Sequence, residues 1–143
     1  MTNELVDAFF RIYQQQPVAT YFAPGRVNLI GEHIDYNGGL VMPCAISAGT
    51  WLLFAPNNDG VIRFNSINFE EIAEIPIRQA YAKIGKEWYN YPLGIFNELQ
   101  KGDWKASGLD LLYFGNIPIG SGLSSSASIE VVTAYALNDF YHI

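Results

Sequence analysis

Apolar spacing alone places a helix at the start of the chain. Leu5, Ala8, Phe9 and Ile12 recur at i, i+3, i+4 and i+7, one face of a helix over residues 4–15. Asn3 or Thr2 is positioned to cap it, and Pro17 to stop it. Val18 to Ala23 reads as a strand. Pro24-Gly25 breaks that pattern and opens a polar loop that runs to about Gly39. From Tyr36 to Asn58 no residue is charged. That span is long enough for a membrane helix, but Gly38, Gly39, Pro43 and Gly49 interrupt it, and Val41, Ile46, Thr50, Trp51 and Phe54 favour strand. The pattern predicts two buried strands, 39–47 and 49–56, joined at Ala48-Gly49. Cys44 reads as a small buried hydrophobe rather than a nucleophile.

Asn57-Asn58-Asp59-Gly60 has strong turn chemistry, and Val61 to Phe64 alternates as a strand. Residues 49–66 therefore predict a hairpin. Glu70 to Ile77 suggests a short edge strand, where Pro76 is tolerated. Residues 86–101 carry Tyr89, Leu93, Phe96 and Leu99 on one helical face, and Pro92 demands a kink or a late start. Leu109 to Phe114 is a further strand, Asn116 to Leu123 is glycine-rich, and Ser124 to His142 is helical with Ile129, Val132, Leu137 and Phe140 as its stripe. Residues 109–142 thus read as a strand–loop–helix unit. The last helix carries no Gly or Pro stop signal, so more chain is expected downstream.

Composition narrows the function. The chain has 143 residues, and 50% are hydrophobic, enough for one folded domain and too many for disorder. Fourteen acidic residues against eight basic ones give a net charge of −6. That balance argues against nucleic acid or an anionic membrane as partner. Cys44 has no cysteine to pair with, and Met1 to Asp7 lacks both a basic n-region and an apolar h-region. A cytoplasmic location is the expectation.

Two segments carry chemistry. Pro118-Ile119-Gly120-Ser121-Gly122-Leu123-Ser124-Ser125-Ser126-Ala127 lies between a strand and a helix. Glycines there let backbone N–H groups approach a phosphate, and the helix adds unpaired donors and the positive end of its dipole. No Lys or Arg follows Lys105, so a phosphate must be held by backbone, hydroxyls and metal. The P-loop lysine is missing, and Gly122-Leu123-Ser124-Ser125-Ser126 is not a nucleophile elbow. A Ser-rich helix cap after a tight turn stays open as the bland reading. The other segment crowds Arg26, Asn28, Glu32, His33 and Asp35 into ten residues. Carboxylates suit sugar hydroxyls, and a guanidinium suits a phosphate or developing negative charge. A metal site at His33 and Asp35 is disfavoured by the lack of a second His or a Cys partner. A solvated loop, or a structural histidine, stays open for this segment alone.

Together the two segments resemble a known family. Ala23-Pro24-Gly25-Arg26-Val27-Asn28-Leu29-Ile30-Gly31-Glu32-His33-Ile34-Asp35-Tyr36-Asn37-Gly38-Gly39 resembles the galactokinase signature, and Pro118 to Ser128 resembles the phosphate-binding motif of the GHMP kinases. The resemblance implies an α/β fold, mainly an antiparallel sheet covered by helices, of the ribosomal-protein S5 domain-2 type. It implies one incomplete N-terminal GHMP kinase domain over 1–143, with the galactose-binding signature at about 18–56, the phosphate loop and helix at about 109–143, and the C-terminal GHMP domain absent. Glu32, His33 and Asp35 are implied to contact galactose. Arg26 is implied to lie beside the reacting hydroxyl as a transition-state stabiliser. Gly120, Gly122, Ser124 and Ser125 are implied to wrap the phosphates of ATP, Ser126 to help hold Mg2+, and Trp88 to lie near the adenine; on residue type alone Trp88 reads as core. The family's catalytic aspartate and magnesium-binding glutamate are expected beyond the second motif. The implied reaction is γ-phosphoryl transfer from ATP to the anomeric hydroxyl of galactose. A non-catalytic galactose- and ATP-binding relative and an N-acetylgalactosamine kinase are the alternatives. Apolar surface left open by truncation is expected to favour self-association.

Overall fold

A strand buried on both faces belongs in the middle of a sheet, and Leu109 to Tyr113 is buried at every position. A computed structural model describes residues 2–118 and 120–143, apart from the side chain of Asp35; Met1 and Ile119 lie outside the described residues. Its strands are β1 (Ala19–Ile30), β2 (Met42–Pro56), β3 (Val61–Ser66), β4 (Ala73–Pro76) and β5 (Leu109–Gly115). They form one sheet in the order β1-β2-β5-β3-β4. The β3–β5 pair is parallel and the other pairs are antiparallel. The expected α/β fold with a mainly antiparallel sheet is the one found.

Pleating divides the core. Leu52, Phe54, Leu111 and Tyr113 point to one face, while Leu53, Ala55 and Leu112 point to the other. The helices α2 (Asn90–Leu99) and α3 (Ser125–Tyr141) cover the first face through Leu93, Phe96, Val132, Ala136 and Leu137. The helix α1 (Thr2–Tyr13) covers the second through Leu5, Ala8 and Phe9. Phe9 is wholly buried, and a side chain of that size contributes about 2 kcal/mol by leaving water.

Several expectations are corrected. Thr2 and Asn3 lie within α1 rather than capping it. The helix ends four residues before Pro17, where Gln14 turns left-handed with φ 55°. β1 does not stop at Pro24-Gly25. A bulge between Pro24 and Arg26 absorbs the irregularity, and pairing with β2 resumes at Arg26–Ala45. Arg26 and Asn28 therefore stand on a strand, not in a loop. β2 is one strand across Ala48-Gly49. Gly49 permits this because the Phe22 ring and the Ala23 carbonyl occupy the space a Cβ would need. The 49–66 hairpin does not form, because β5 takes the place between β2 and β3. Cys44 is exposed, as are Leu29, Ile30 and Met42, since the far half of the β1–β2 hairpin runs beyond the helices.

Two other expectations hold. β4 is an edge strand, opposite β1, and contains Pro76. α2 starts late, which puts Pro92 in the first turn, where a missing N–H costs no helical bond. Among the described residues no helix is long and apolar enough to cross a membrane.

Candidate functional site

The loop between β5 and α3 alternates in backbone sign. Gly120 (φ 75°), Gly122 (φ 71°) and Ser124 (φ 63°) are left-handed at every second position. Such alternation turns successive N–H groups toward one concavity, a nest for an anion. Nothing lies within 4 Å of a Cβ placed on Gly120 or Gly122, so glycine is needed there for φ and not for room. Ser124 is the N-cap of α3 by position, yet its side chain makes no cap bond. The Ser-rich cap reading therefore loses its main contact. The opening turn of α3 adds its N–H groups and its dipole, with Ser125 exposed and Ser126 half-buried.

The start of this loop is braced from both neighbouring strands. Asn68, just past β3, donates to the Gly115 carbonyl at 2.9 Å and accepts the Gly115 N–H at 2.7 Å. On the β2 side, Asn116 Oδ1 accepts the Gly49 N–H at 2.8 Å, and the Asn116 N–H donates to the Gly49 carbonyl at 3.1 Å. These side-chain amides continue the ladder where the strands stop.

The bulge in β1 meets the nest. At the bulge the Arg26 N–H is directed to the Leu123 carbonyl, at 3.2 Å. The approach is close enough that a Cβ on Gly25 would stand 2.7 Å from the Leu123 oxygen and 2.9 Å from Ile117 Cδ1. Ser128, in the first turn of α3, donates to the Ala23 carbonyl at 2.8 Å. Beyond Ile30 the chain turns through Gly31 (φ 95°) into a 3-10 turn at Asp35–Asn37. That turn is organised around Ile34, whose carbonyl accepts the N–H of Asn37 at 3.1 Å and of Gly39 at 2.9 Å. Glu32 and His33, which lead into it, are exposed. The side chain of Asp35 lies outside the described residues.

A cavity of about 250 Å³ opens beside the nest, lined by Thr50, Ser66, Asn68, Phe69, Trp88, Tyr91, Tyr113, Gly115, Ile117, Ser125, Ser126 and Ile129. Trp88 is both core and wall. It is 8% exposed, donates to the Glu71 carbonyl at 3.2 Å, and stacks on Phe69 with ring centroids 5.9 Å apart. Tyr113 bonds Thr133 at 2.9 Å, and burial pushes its hydroxyl pKa above the ordinary tyrosine range, so it stays neutral. An aromatic slot of this size admits a planar ring, and the nest at its mouth admits a charged tail. Among the described residues no group of three His, Cys, Asp or Glu side chains is arranged to hold a metal.

Comparison with known proteins matches both segments to family models. The galactokinase galactose-binding signature covers residues 7–56, and the GHMP kinase N-terminal domain covers residues 90–143. Galactokinases of Clostridium beijerinckii and Enterococcus faecalis are 42% and 45% identical over 144 residues, which is 99% of this chain and 37% of each relative. The structure of Lactococcus lactis galactokinase complexed with galactose superposes with a TM-score of 0.90 at 35% identity, over 99% of this chain and 38% of that one. The chain belongs to the galactokinase family, as its N-terminal portion. It spans about 37% of the length of the curated galactokinases it matches. Mevalonate kinase of Methanococcus jannaschii, at 23% identity and a TM-score of 0.76, shares the fold.

In this galactokinase portion, Trp88, Ser125 and Ser126 come together at one cavity, and the Arg26 backbone is bonded to the loop that carries Gly120, Gly122 and Ser124. Glu32 and His33 are not part of the cavity wall. Sequence reading missed Thr50, Asn68, Phe69, Tyr91 and Ser128. Thr50 and Ser128 stand inside recognised segments, and Tyr91 stands three residues past Trp88, so proximity in sequence was an available signal. Asn68 and Phe69 lie on the β3–β4 connection, which carries no motif.

Proposed function

We infer that this chain supplies the sugar-side strand and the phosphate nest of a galactokinase: transfer of the ATP γ-phosphoryl group to the anomeric hydroxyl of galactose, giving galactose 1-phosphate and ADP. The observation that carries the reading is the hydrogen bond from the Arg26 N–H to the Leu123 carbonyl, which joins the sugar signature to the nest. In-line phosphoryl transfer is mostly positioning and charge stabilisation, so the two halves must abut. Glu32, His33 and Asp35 are proposed to accept hydrogen bonds from galactose hydroxyls. The Arg26 guanidinium is proposed to stabilise charge on the transferring group. Gly120, Gly122, Ser124 and Ser125 are proposed to wrap the ATP phosphates, with the base in the slot beside Trp88. Mg2+ enters with ATP as part of the substrate. The Ser126 hydroxyl is a hard oxygen donor suited to it, and phosphates and water complete the shell.

The test is calorimetry of the chain with galactose and with Mg-ATP. Both are expected to bind. Asp35→Ala is expected to weaken galactose by about 1.5–3 kcal/mol, the worth of a charged acceptor, while Mg-ATP binding holds. Equal loss for both ligands overturns the assignment of Asp35 to the sugar. Binding of galactose with no binding of Mg-ATP overturns the kinase reading.

A further inference from the structure

Ser128 and Thr50 are polar side chains deep in an apolar layer, 2% and 3% exposed. Such groups are costly unless they are bonded. Ser128 Oγ donates to the Ala23 carbonyl at 2.8 Å and also meets Thr50 Oγ1 at 2.9 Å. Ala23 immediately precedes Pro24-Gly25-Arg26, and Ser128 is four residues past the left-handed Ser124. One link therefore runs from α3 back to β1, and another, Arg26 N–H to Leu123 O at 3.2 Å, runs from β1 forward to the nest. The two links lie on either side of the Gly25 contact and close a small ring. Within that ring the nest cannot move away from the β1 bulge without breaking a buried bond. Thr50 also stands in the cavity wall, so the ring reaches the slot itself.

We propose that Ser128, supported by Thr50, is a positioning residue: it fixes the distance between the sugar-bearing strand and the phosphate nest, and so couples the two binding events. This rests on the galactokinase reading above. It predicts that galactose changes Mg-ATP affinity, and the reverse by the same factor, through this ring.

The experiment has two arms on the full chain. Amide hydrogen exchange by NMR reads the Arg26 N–H directly. Ser128→Ala is expected to speed its exchange by about fivefold to tenfold, the worth of one buried neutral hydrogen bond, with the central Leu53 and Leu112 amides unchanged. Ser128→Thr, which keeps the hydroxyl, is expected to restore protection. Calorimetry then reads the factor by which saturating galactose changes the Mg-ATP Kd. In Ser128→Ala that factor is expected to fall to about one, with each separate Kd held within about twofold. Thr50→Val, close in shape but without the hydroxyl, serves if Ser128→Ala fails to fold, and is expected to lower the same factor. Retained coupling in a folded variant overturns the proposal, and so does unchanged Arg26 protection. If the wild-type chain binds neither ligand, the galactokinase reading falls, and the exchange arm still decides the ring.

Discussion

Gly25 and Gly122 are both required, for opposite reasons. Gly25 is short of room, because its Cβ would sit 2.7 Å from the Leu123 carbonyl oxygen. Gly25→Ala must push the nest off the strand and is expected to destabilise the fold by about 1–3 kcal/mol, as overpacking does. Gly122 has open space but a φ of 71°. Gly122→Ala is expected to cost about 1–2 kcal/mol of backbone strain or to flip the peptide, turning an N–H out of the concavity. Urea denaturation and Mg-ATP titration separate the two. Gly25→Ala lowers the unfolding midpoint and perturbs both ligands, whereas Gly122→Ala weakens the nucleotide and leaves galactose. A wild-type midpoint for Gly25→Ala would mean that the loop moves at no cost, and the contact between the two segments would lose its meaning.

Between α1 and the sheet, one buried carboxylate ties four segments together. Asp110 on β5 is 2% exposed and accepts Gln15 Nε2 at 2.7 Å, Asn57 Nδ2 at 2.7 Å and Arg63 Nη1 at 3.0 Å. Arg63 also bonds Asp59 and Glu74, and those carboxylates hold its guanidinium pKa above the usual arginine range. Asp110→Ala leaves the donors of Gln15, Asn57 and Arg63 without this acceptor. It is expected to cost about 3 kcal/mol in urea unfolding, the scale of a broken buried pair. A loss below about 1 kcal/mol would place it with exposed ion pairs instead. Nothing in Leu109-Asp110-Leu111 reveals this role, because the partners come from the connection after α1, from the turn after β2 and from β3. The same non-locality explains which parts of the fold and site were legible. Pro118 to Ser128 and Ala23 to Gly39 are contiguous, so their chemistry could be read directly, as could the edge strand at Pro76. The β2–β3 hairpin was misread because local turn chemistry at Asn57 to Gly60 does not report which strand lies beside β2. That is decided by the double-sided burial of β5. Asn68 and Phe69 reach the cavity only through that strand order, and so escaped notice.

Three tyrosine hydroxyls join the layers of the molecule. Tyr13 of α1 donates to the Leu111 carbonyl at 2.8 Å, Tyr21 of β1 to Asp139 of α3 at 2.7 Å, and Tyr113 of β5 pairs with Thr133 of α3 at 2.9 Å. Burial raises all three above the ordinary value of about 10. Tyr21 is pushed up to about 12, by burial first and then by its bond to the Asp139 carboxylate. The fold thus prefers the neutral phenol, while the unfolded chain ionises near pH 10 and holds fewer protons above it. Stability from these groups is therefore fully present below about pH 10 and is lost as pH rises through the folded values, by about pH 12 for Tyr21. Thermal melts followed by circular dichroism are expected to show a melting temperature that falls steeply across that window. Tyrosinate absorbance from the three is expected to appear with unfolding rather than ahead of it. Tyr21→Phe removes one contributor and should flatten the decline, at the expense of the link to Asp139. Ionisation of all three near pH 10 with the circular dichroism of the folded state intact would show that these hydroxyls do not hold the helices to the sheet.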